Sequence, residues 1–445
     1  MPFAGLDLHK QVIEAAIVDD AGKLVHKSRF PATREALVAF AQRWLNPETS
    51  VAVEATTNTW PVVDVLEPLV GEVVVSNPMR TRAIASAKIM TDAISAPTLA
   101  QLLRLNYLPR VWQPDAKTRH QRELVTERTT LTADRTRIKN RIHSVLHQRM
   151  IPAPEGDLFC ERNLAWLRAL PVSDEGLNEN GRRVLDRYLT QLEAIGKEAA
   201  ELDALIAKHA YGESRVRLLM TLPGVDMAVA LGLMAALGEP SRFASAGQAA
   251  AYFGLVPSTK QSGRHCYHGR ITKQGNSHAR WLLVQAAQSV AAHEGPLGVF
   301  FRRLAQRKNR NVAVVAVARK LVTIAWHMLR RNEPYRYADP ARTAVKLARV
   351  RIVATGKRRR GGFPKGTPRP ASYGTGKQLR RTPSLDAVYA KEGLPPRQKP
   401  GQGEAHMLGQ HGLEEFLGRI AEQQAAPKAP PSGKRRGPYH VRPIG

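Results

Sequence analysis

Cysteine is nearly absent: the chain has two, Cys160 and Cys266, in 445 residues. Two thiols so far apart form neither a disulfide framework nor a paired metal-ligand motif. Long apolar runs are also missing. The longest, Met227 to Leu237, follows Asp226 and falls short of the ~18 apolar residues that a spanning helix needs. The N-terminus, MPFAGLDLHK, lacks the basic stretch and apolar core of a secretory signal. These absences lead us to expect a cytoplasmic protein with no membrane partner. Acidic residues are scarce too. Lys+Arg number 67 against 38 Asp+Glu, a formal net charge of +29. A surplus of that size points to a polyanion, and nucleic acid is the leading class.

The first part of the chain reads as α/β. Short β-type runs at Phe3–Leu8, Val12–Val18 and Leu24–Phe30 are separated by breaks such as Asp19-Asp20-Ala21-Gly22. A helix is predicted over Arg34–Leu45, then strands at Ser50–Glu54 and Glu72–Ser76. Three strands followed by alternating helix and strand is the chain order of a ribonuclease H-like fold, although other α/β folds share it. Next come two long helices. Leu124, Leu131, Ile138 and Val145 recur every seven residues, and Leu185, Tyr188, Leu192, Ile195, Ala199, Leu202 and Ile206 alternate spacings of three and four. That is a coiled-coil seam, serving either a structural hairpin or dimerisation. Arg119, Arg122, Arg128, Arg135, Arg137, Lys139, Arg141 and Arg149 decorate the first helix, as a solvated face or as contacts to a nucleic-acid backbone.

A mostly helical segment follows, over 215–335. Residues 351–445 hold 15 Gly, 12 Pro, 19 Lys+Arg and 6 Asp+Glu. A segment of that composition cannot bury enough surface to order itself, so it is expected to be a flexible, removable arm, with Lys357–Arg360 and Lys434–Arg436 binding nucleic acid. Leu413–Ile420 within it is amphipathic enough for an isolated helix. The expected segments are therefore 1–114, 115–210, 211–345 and a tail over 346–445.

Three features could carry chemistry. Asp7 and Glu54 close strands and Asp92 opens a predicted helix. Strand ends and helix starts are where an α/β sheet gathers side chains from distant sequence. Clustered carboxylates select hard cations, Mg²⁺ or Mn²⁺, which can clamp both oxygens of a phosphodiester exchange. Solvated acids at strand ends are the plain alternative. Leu222-Pro223-Gly224-Val225 resembles the turn of a helix-hairpin-helix element, which offers backbone N–H groups to a phosphate; it also fits an ordinary turn. The third is Lys260-Gln261-Ser262-Gly263-Arg264-His265 with Arg270, Lys273 and Arg280 beyond it, a basic Gly-rich loop. Its cations could hold a phosphate while the Ser262 hydroxyl attacks phosphorus, or Ser262 could simply donate a hydrogen bond to that phosphate.

Taken together, Asp7, Glu54, Asp92, Leu99-Ala100, Leu222-Pro223-Gly224-Val225, Ala251-Tyr252-Phe253-Gly254-Leu255-Val256-Pro257, Gln261-Ser262-Gly263, Ile271-Thr272-Lys273-Gln274-Gly275-Asn276 and Arg319-Lys320-Leu321 resemble the insertion sequence 110 family, the DEDD transposases or bridge-RNA-guided recombinases. The resemblance covers roughly residues 3–335. It implies an α/β RNase H-like (RuvC-like) domain, a coiled-coil helical region, a mostly α-helical transposase domain and, beyond the family's core, a disordered basic tail. It further implies that Ser262 forms a 5′-phosphoserine link to cleaved DNA. Asp7, Glu54 and Asp92 would hold Mg²⁺ or Mn²⁺, and Lys260, Arg264, Arg270, Lys273 and Arg280 would hold nucleic-acid backbone. A noncoding guide RNA would choose donor and target DNA, and the protomers would act as a dimer or tetramer near the nucleoid. One position departs from the family. Where it has a fourth acid, in Thr-Asp-x-x-Asp-Ala, this chain has Ser95 in Thr91-Asp92-Ala93-Ile94-Ser95-Ala96. Two rival readings remain: a RuvC-like metal-dependent nuclease without a covalent intermediate, and a non-catalytic RNA- and DNA-binding protein.

Overall fold

The computed structural model describes residues 1–85, 92–173, 176–263, 265–356 and 381–421, with 424–425; for 92–94, 381–382 and 424–425 it describes backbone only. Contacts divide the chain into two units, Met1–Asp115 and Ala116–Gly445.

In the first unit, β1 (Phe3–Leu8), β2 (Val12–Val18) and β3 (Leu24–Pro31) form an antiparallel meander. Next come α1 (Arg34–Trp44), β4 (Ser50–Glu54), α2 (Thr59–Leu66), β5 (Glu72–Ser76), α3 (Pro78–Ile84) and α4 (Asp92–Arg104). The sheet order is β3-β2-β1-β4-β5, with β4 parallel to β1 and β5 parallel to β4. This mixed α/β architecture is consistent with a ribonuclease H-like fold. Thr33 starts α1 by accepting the Ala36 N–H at its side chain. Strand alternation sets the two faces of the sheet. Leu6, Leu8, Ile13, Ala15, Val51 and Val53 pack with Leu37, Phe40 and Leu66 of α1 and α2. On the other face Ala52 and Val74 pack with Leu99 and Leu103 of α4. Gly5 lets α4 lie close: a Cβ there would meet the Ala96 carbonyl oxygen at 2.1 Å and the Ala100 nitrogen at 2.7 Å.

The second unit begins with α5 (Ala116–His147), α6 (Glu161–Ala169) and α7 (Glu179–Gly212). Ile138, Ile142, Val145 and Leu146 of α5 share a core with Leu167 of α6 and Leu185, Leu189 and Leu192 of α7. The other halves of the long helices join a different core, through Leu124 and Val125 of α5 and Leu202 and Ile206 of α7. The α5 cations are not one uniform face. Arg122 donates to the Ala235 carbonyl at 3.0 Å and Arg128 pairs with Asp203 at 3.1 Å, while Arg135 and Arg141 are exposed.

Then come α8 (Ser214–Leu219), α9 (Met227–Leu237), α10 (Ala246–Tyr252), strands β6 (Pro257–Ser262) and β7 (His265–Ile271), α11 (Ser277–Val290), α12 (Pro296–Arg307), α13 (Arg310–Arg331) and α14 (Pro340–Thr355). By length and composition α13 is apolar enough to cross a membrane. In this fold its Ala313, Val317, Leu321, Ala325 and Leu329 are buried in the helical core, as in the central helix of a globular domain.

The tail departs from expectation. Residues 385–421 form α15 (Leu385–Lys391), α16 (Gln402–Gln410) and α17 (Glu414–Ala421). Leu385, Val388, Tyr389, Leu394, Leu408, Leu413, Phe416 and Ile420 all join the core of the second unit. Composition understated this segment because it does not order itself. Its sparse apolar residues are ordered by an existing apolar surface, and the Tyr389 hydroxyl donates to the Tyr335 carbonyl at 2.6 Å. The amphipathic Leu413–Ile420 is thus a docked helix and not an isolated one. Both basic runs, Lys357–Arg360 and Lys434–Arg436, lie outside the described residues.

Candidate active site

In the parallel pairing of β1 with β4, Leu6 is opposite Val53. The next residues, Asp7 and Glu54, therefore lie side by side, Glu54 as the last residue of β4 and Asp7 one short of the end of β1. Both lie on the α4 face of the sheet, since Gly5 and Ala52 two residues earlier meet that helix. The Glu54 carboxyl is held above its ordinary pKa, by burial first and by the charge of Asp7 second, with Arg82 opposing. Two half-buried carboxylates in mutual repulsion form a donor set that a hard divalent cation fits. His9 Nε2 lies 3.5 Å from Asp7 Oδ2.

Glu14, which sequence reasoning missed, is the register partner of Asp7 on β2 and is buried. Its carboxylate lies 3.8 Å from Arg29 on β3. An acid inside the apolar run Val12-Ile13-Glu14-Ala15 was the available signal. Helix α4 crosses Gly5 at Ala96 and Ala100, and Leu103 lies farther back over Ala52 and Val74. Its first turn therefore heads toward the strand ends that carry Asp7 and Glu54. Asp92 is the first described residue of this helix, and its side chain lies outside the described residues. Ser95 sits in the same turn and is half-buried. Among the described residues, no three of His, Cys, Asp and Glu group closely enough to hold a metal ion.

In the second unit, the expected Gly-rich loop is a β-hairpin. Strands β6 and β7 pair antiparallel from Pro257↔Ile271 to Ser262↔His265, with Ser262-Gly263 entering the turn and Gly263 at φ +54°. Thr259, Tyr267 and Ile271 favour strands, and a glycine with positive φ closes the turn. Ser262, Lys260 and Arg270 are exposed on it, and Arg264 lies outside the described residues. No acidic residue occurs from Pro240 to His293, so the hairpin and its base carry cations only.

The two family-like segments flanking the hairpin lock its base. Gly254 has φ +65° and its Cβ would meet the Gln274 carbonyl oxygen at 2.3 Å. Gly275 has φ +85° and its Cβ would meet the Tyr252 carbonyl oxygen at 2.1 Å. The Thr272 N–H donates to the Val256 carbonyl at 2.9 Å. These glycines allow two backbones to touch. Lys273, at φ +55°, is exposed beside them. Arg280 is partly engaged elsewhere, donating to the Phe253 carbonyl at 3.1 Å.

The Leu222-Pro223-Gly224-Val225 turn joins two helices, and a side chain engages its carbonyls. Leu222, Pro223 and Val225 are buried. The turn aims carbonyls at a cation: Lys346 Nζ donates to the carbonyls of Met220 at 2.6 Å, Leu222 at 2.8 Å and Val225 at 3.1 Å. Burial pushes the Lys346 ammonium down to a pKa of about 8. On α13, Arg319 and Lys320 are exposed and Leu321 is buried.

Comparison with known proteins gives two domain matches in chain order. Residues 4–151 match the DEDD transposase model of the IS110 type, described as "Transposase". Residues 216–300 match the model described as "Transposase IS116/IS110/IS902 family". The chain is 31% identical over 221 residues to "Transposase for insertion sequence element IS1111A" of Coxiella burnetii, covering 48% of this chain and 59% of that protein. It is 24% identical over 351 residues to "Putative transposase y4pF/y4sB" of Sinorhizobium fredii, covering 75% and 86%. It is 33% identical over 124 residues to "Pilin gene-inverting protein" of Moraxella bovis, covering 27% and 38%. The chain spans about half the length of several curated relatives that it matches.

Proposed function

From a chain that carries both transposase domains of the IS110/IS116/IS902 type, we propose a DNA recombinase that cleaves and rejoins strands through a 5′-phosphoserine at Ser262. The observation that carries this reading is the place of Ser262, at the tip of an exposed hairpin whose surrounding sequence has no acid from Pro240 to His293. Phosphodiester oxygens repel carboxylates and are held by cations, so such an arm suits a hydroxyl that must approach phosphorus. Lys260, Arg264, Arg270 and Lys273 would hold the backbone, with whatever donors of Arg280 the Phe253 carbonyl leaves.

Asp7, Glu54 and Asp92 would hold Mg²⁺ or Mn²⁺, with Ser95 at the fourth position of the family pattern. A bound divalent cation supplies charge stabilisation at the phosphodiester oxygens. The side-by-side carboxylates of Asp7 and Glu54 support that assignment, because each raises the cost of the other's charge. The same pair also favours a second reading, a metal-dependent nuclease that uses water and leaves no covalent link.

Guidance by a noncoding RNA and action as a dimer or tetramer rest on the family resemblance. So does a division into an RNase H-like domain over 1–114, a coiled-coil hairpin over 115–210 and a catalytic helical domain over 211–345. The exposed Arg135 and Arg141 of α5 are available to RNA or DNA backbone.

A denaturing gel separates the two catalytic readings. Wild-type protein with labelled DNA from its element's ends and RNA transcribed from the flanking DNA should give a covalent adduct. Ser262→Ala should abolish adduct and cleavage and leave binding nearly unchanged. Cleavage that survives in Ser262→Ala, with no adduct in wild type, selects the nuclease.

A further inference from the structure

The register of the hairpin puts a second functional group beside Ser262. Ser262 pairs with His265 and Lys260 pairs with Tyr267. Residues two apart on a strand, and residues directly opposite across a pair, project from one face. One face of the tip therefore carries Ser262, His265, Lys260 and Tyr267. The other carries Thr259, Gln261, Cys266 and His268. There His268 is engaged with its own neighbours: Nδ1 lies 3.2 Å from Thr259 Oγ1 and Nε2 lies 3.8 Å from Cys266 Sγ. Both faces are exposed along Ser258–Gly263 and His265–Arg270, so a docked phosphodiester could reach either. Only one face has the serine.

We propose that His265 is the general base that activates Ser262. The proposal rests on the reading of Ser262 as nucleophile. A serine hydroxyl attacks phosphorus poorly until a base takes its proton. Directly opposed residues of an antiparallel pair have Cβ atoms about 4.5–5.5 Å apart, within rotamer reach of the ~2.6–3.2 Å contact that proton transfer needs. Among the described residues, the groups facing His265 are Ser262 and Lys260 of β6, the strand paired with β7, together with Tyr267 on its own strand. Of these types, imidazole is the one that exchanges a proton near neutrality.

The step balances without a redox partner. The Ser262 Oγ–H proton passes to the His265 imidazole as the Oγ–P bond forms. The P–O3′ bond breaks, and the departing 3′ oxygen keeps the electron pair and takes a proton from water. The imidazolium then yields its proton to the hydroxide so formed. Lys260, on the same face, is placed to hold a non-bridging oxygen of the same phosphate.

The test uses the full chain with the labelled DNA and RNA described above, and follows the rate of adduct formation against pH. The wild-type rate should rise with pH to a plateau. His265→Gln should lower the plateau rate about 100-fold or more, remove the rising limb and leave DNA binding unchanged. His265→Ala should regain part of the rate when imidazole is added. His268→Gln, on the opposite face, should keep the wild-type profile. A His265→Gln variant with the wild-type pH profile overturns the proposal. So does a loss in His265→Ala that imidazole fails to rescue while the rising limb persists, since that marks a structural role. An adduct that persists in Ser262→Ala overturns the nucleophile reading instead, so the two failures are told apart.

Discussion

At the scale of single residues, Glu54 makes a claim that can be measured without catalysis. Its carboxyl is held above the ordinary value by burial and by Asp7. A raised acid pKa in the fold means that the folded state keeps its proton to higher pH than the unfolded state does. Stability then falls as pH rises from the unfolded value through the folded one, and stays lower above it. Glu54→Gln removes the ionisable group. In chelator-treated protein at neutral pH it should raise the melting temperature modestly, on the order of 1–2 °C, and flatten the acid limb of the stability curve. With Mg²⁺ present it should abolish cleavage. A lower melting temperature under chelation would show that Glu54 is held by partners and not strained by Asp7. Ser95 is the companion case. It lies one turn along α4 from Asp92, and a neutral hydroxyl is a weak ligand for a hard cation beside carboxylates. Ser95→Asp should lower the Mg²⁺ concentration for half-maximal cleavage without lowering the maximal rate. An unchanged Mg²⁺ requirement would remove this position from the site. Asp7 and Glu54 were legible in the sequence because each ends an apolar β-run. Glu14 carried a weaker signal, an isolated acid inside a strand, and the role proposed for His265 depends on a hairpin register that composition does not reveal.

Elements extend the same lesson. Strand positions along the first unit followed from apolar runs and turn residues, so β1 to β5 lie within a residue of expectation. The hairpin reads as a loop in the sequence because strands exposed on both faces lack the apolar alternation that usually marks them. Gly5 tests how an element positions the site. The helix α4 backbone rests against it, and any Cβ would strike the Ala96 carbonyl and the Ala100 nitrogen. Gly5→Ala should cost roughly 1–3 kcal/mol in chemical denaturation and lift α4, with Asp92 and Ser95, off the sheet. Cleavage should then fall further than stability does at temperatures where the protein stays folded. Full activity in a folded Gly5→Ala variant would show that α4 does not position the site. In the second unit, Lys346 plays the corresponding part by binding three carbonyls of the turn between α8 and α9. Lys346→Met leaves them without that donor and should cost roughly 2 kcal/mol or more. Because burial lowers the Lys346 pKa to about 8, the fold sheds this proton before the unfolded chain does. The advantage of wild type over Lys346→Met should therefore grow as pH rises from about 8 toward the ordinary lysine value near 10.4. Denaturant midpoints across that window measure it.

For the whole molecule, the excess of 67 basic over 38 acidic residues sets the terms of binding, and the structure changes where the removable charge lies. Composition alone marked everything beyond residue 350 as one expendable arm. The docked helices α15, α16 and α17 split that segment. Leu385, Val388, Tyr389, Phe416 and Ile420 belong to the core of the second unit, and Arg336 donates to Glu404 at 3.0 Å. Removing them would strip several large side chains from an apolar surface at about 1.5–3 kcal/mol each. A chain ending at Gly356 should therefore lose stability by several kcal/mol, or fail to fold cooperatively. A chain ending at Ala421 should keep the wild-type melting temperature. It gives up 24 residues that hold five Lys+Arg and one Glu. If these cations contact phosphates, each contributes a slope of about 0.9 in log affinity against log salt on duplex DNA. The salt slope should then flatten by up to about 4.5, with weaker binding at low salt and little change at high salt. Titrations of one DNA duplex at several salt concentrations, with melting curves of both truncations, separate charge from fold. An unaltered slope for the chain ending at Ala421 would take the last basic run out of the interface. A normal melting temperature for the chain ending at Gly356 would return α15, α16 and α17 to the status of an expendable tail.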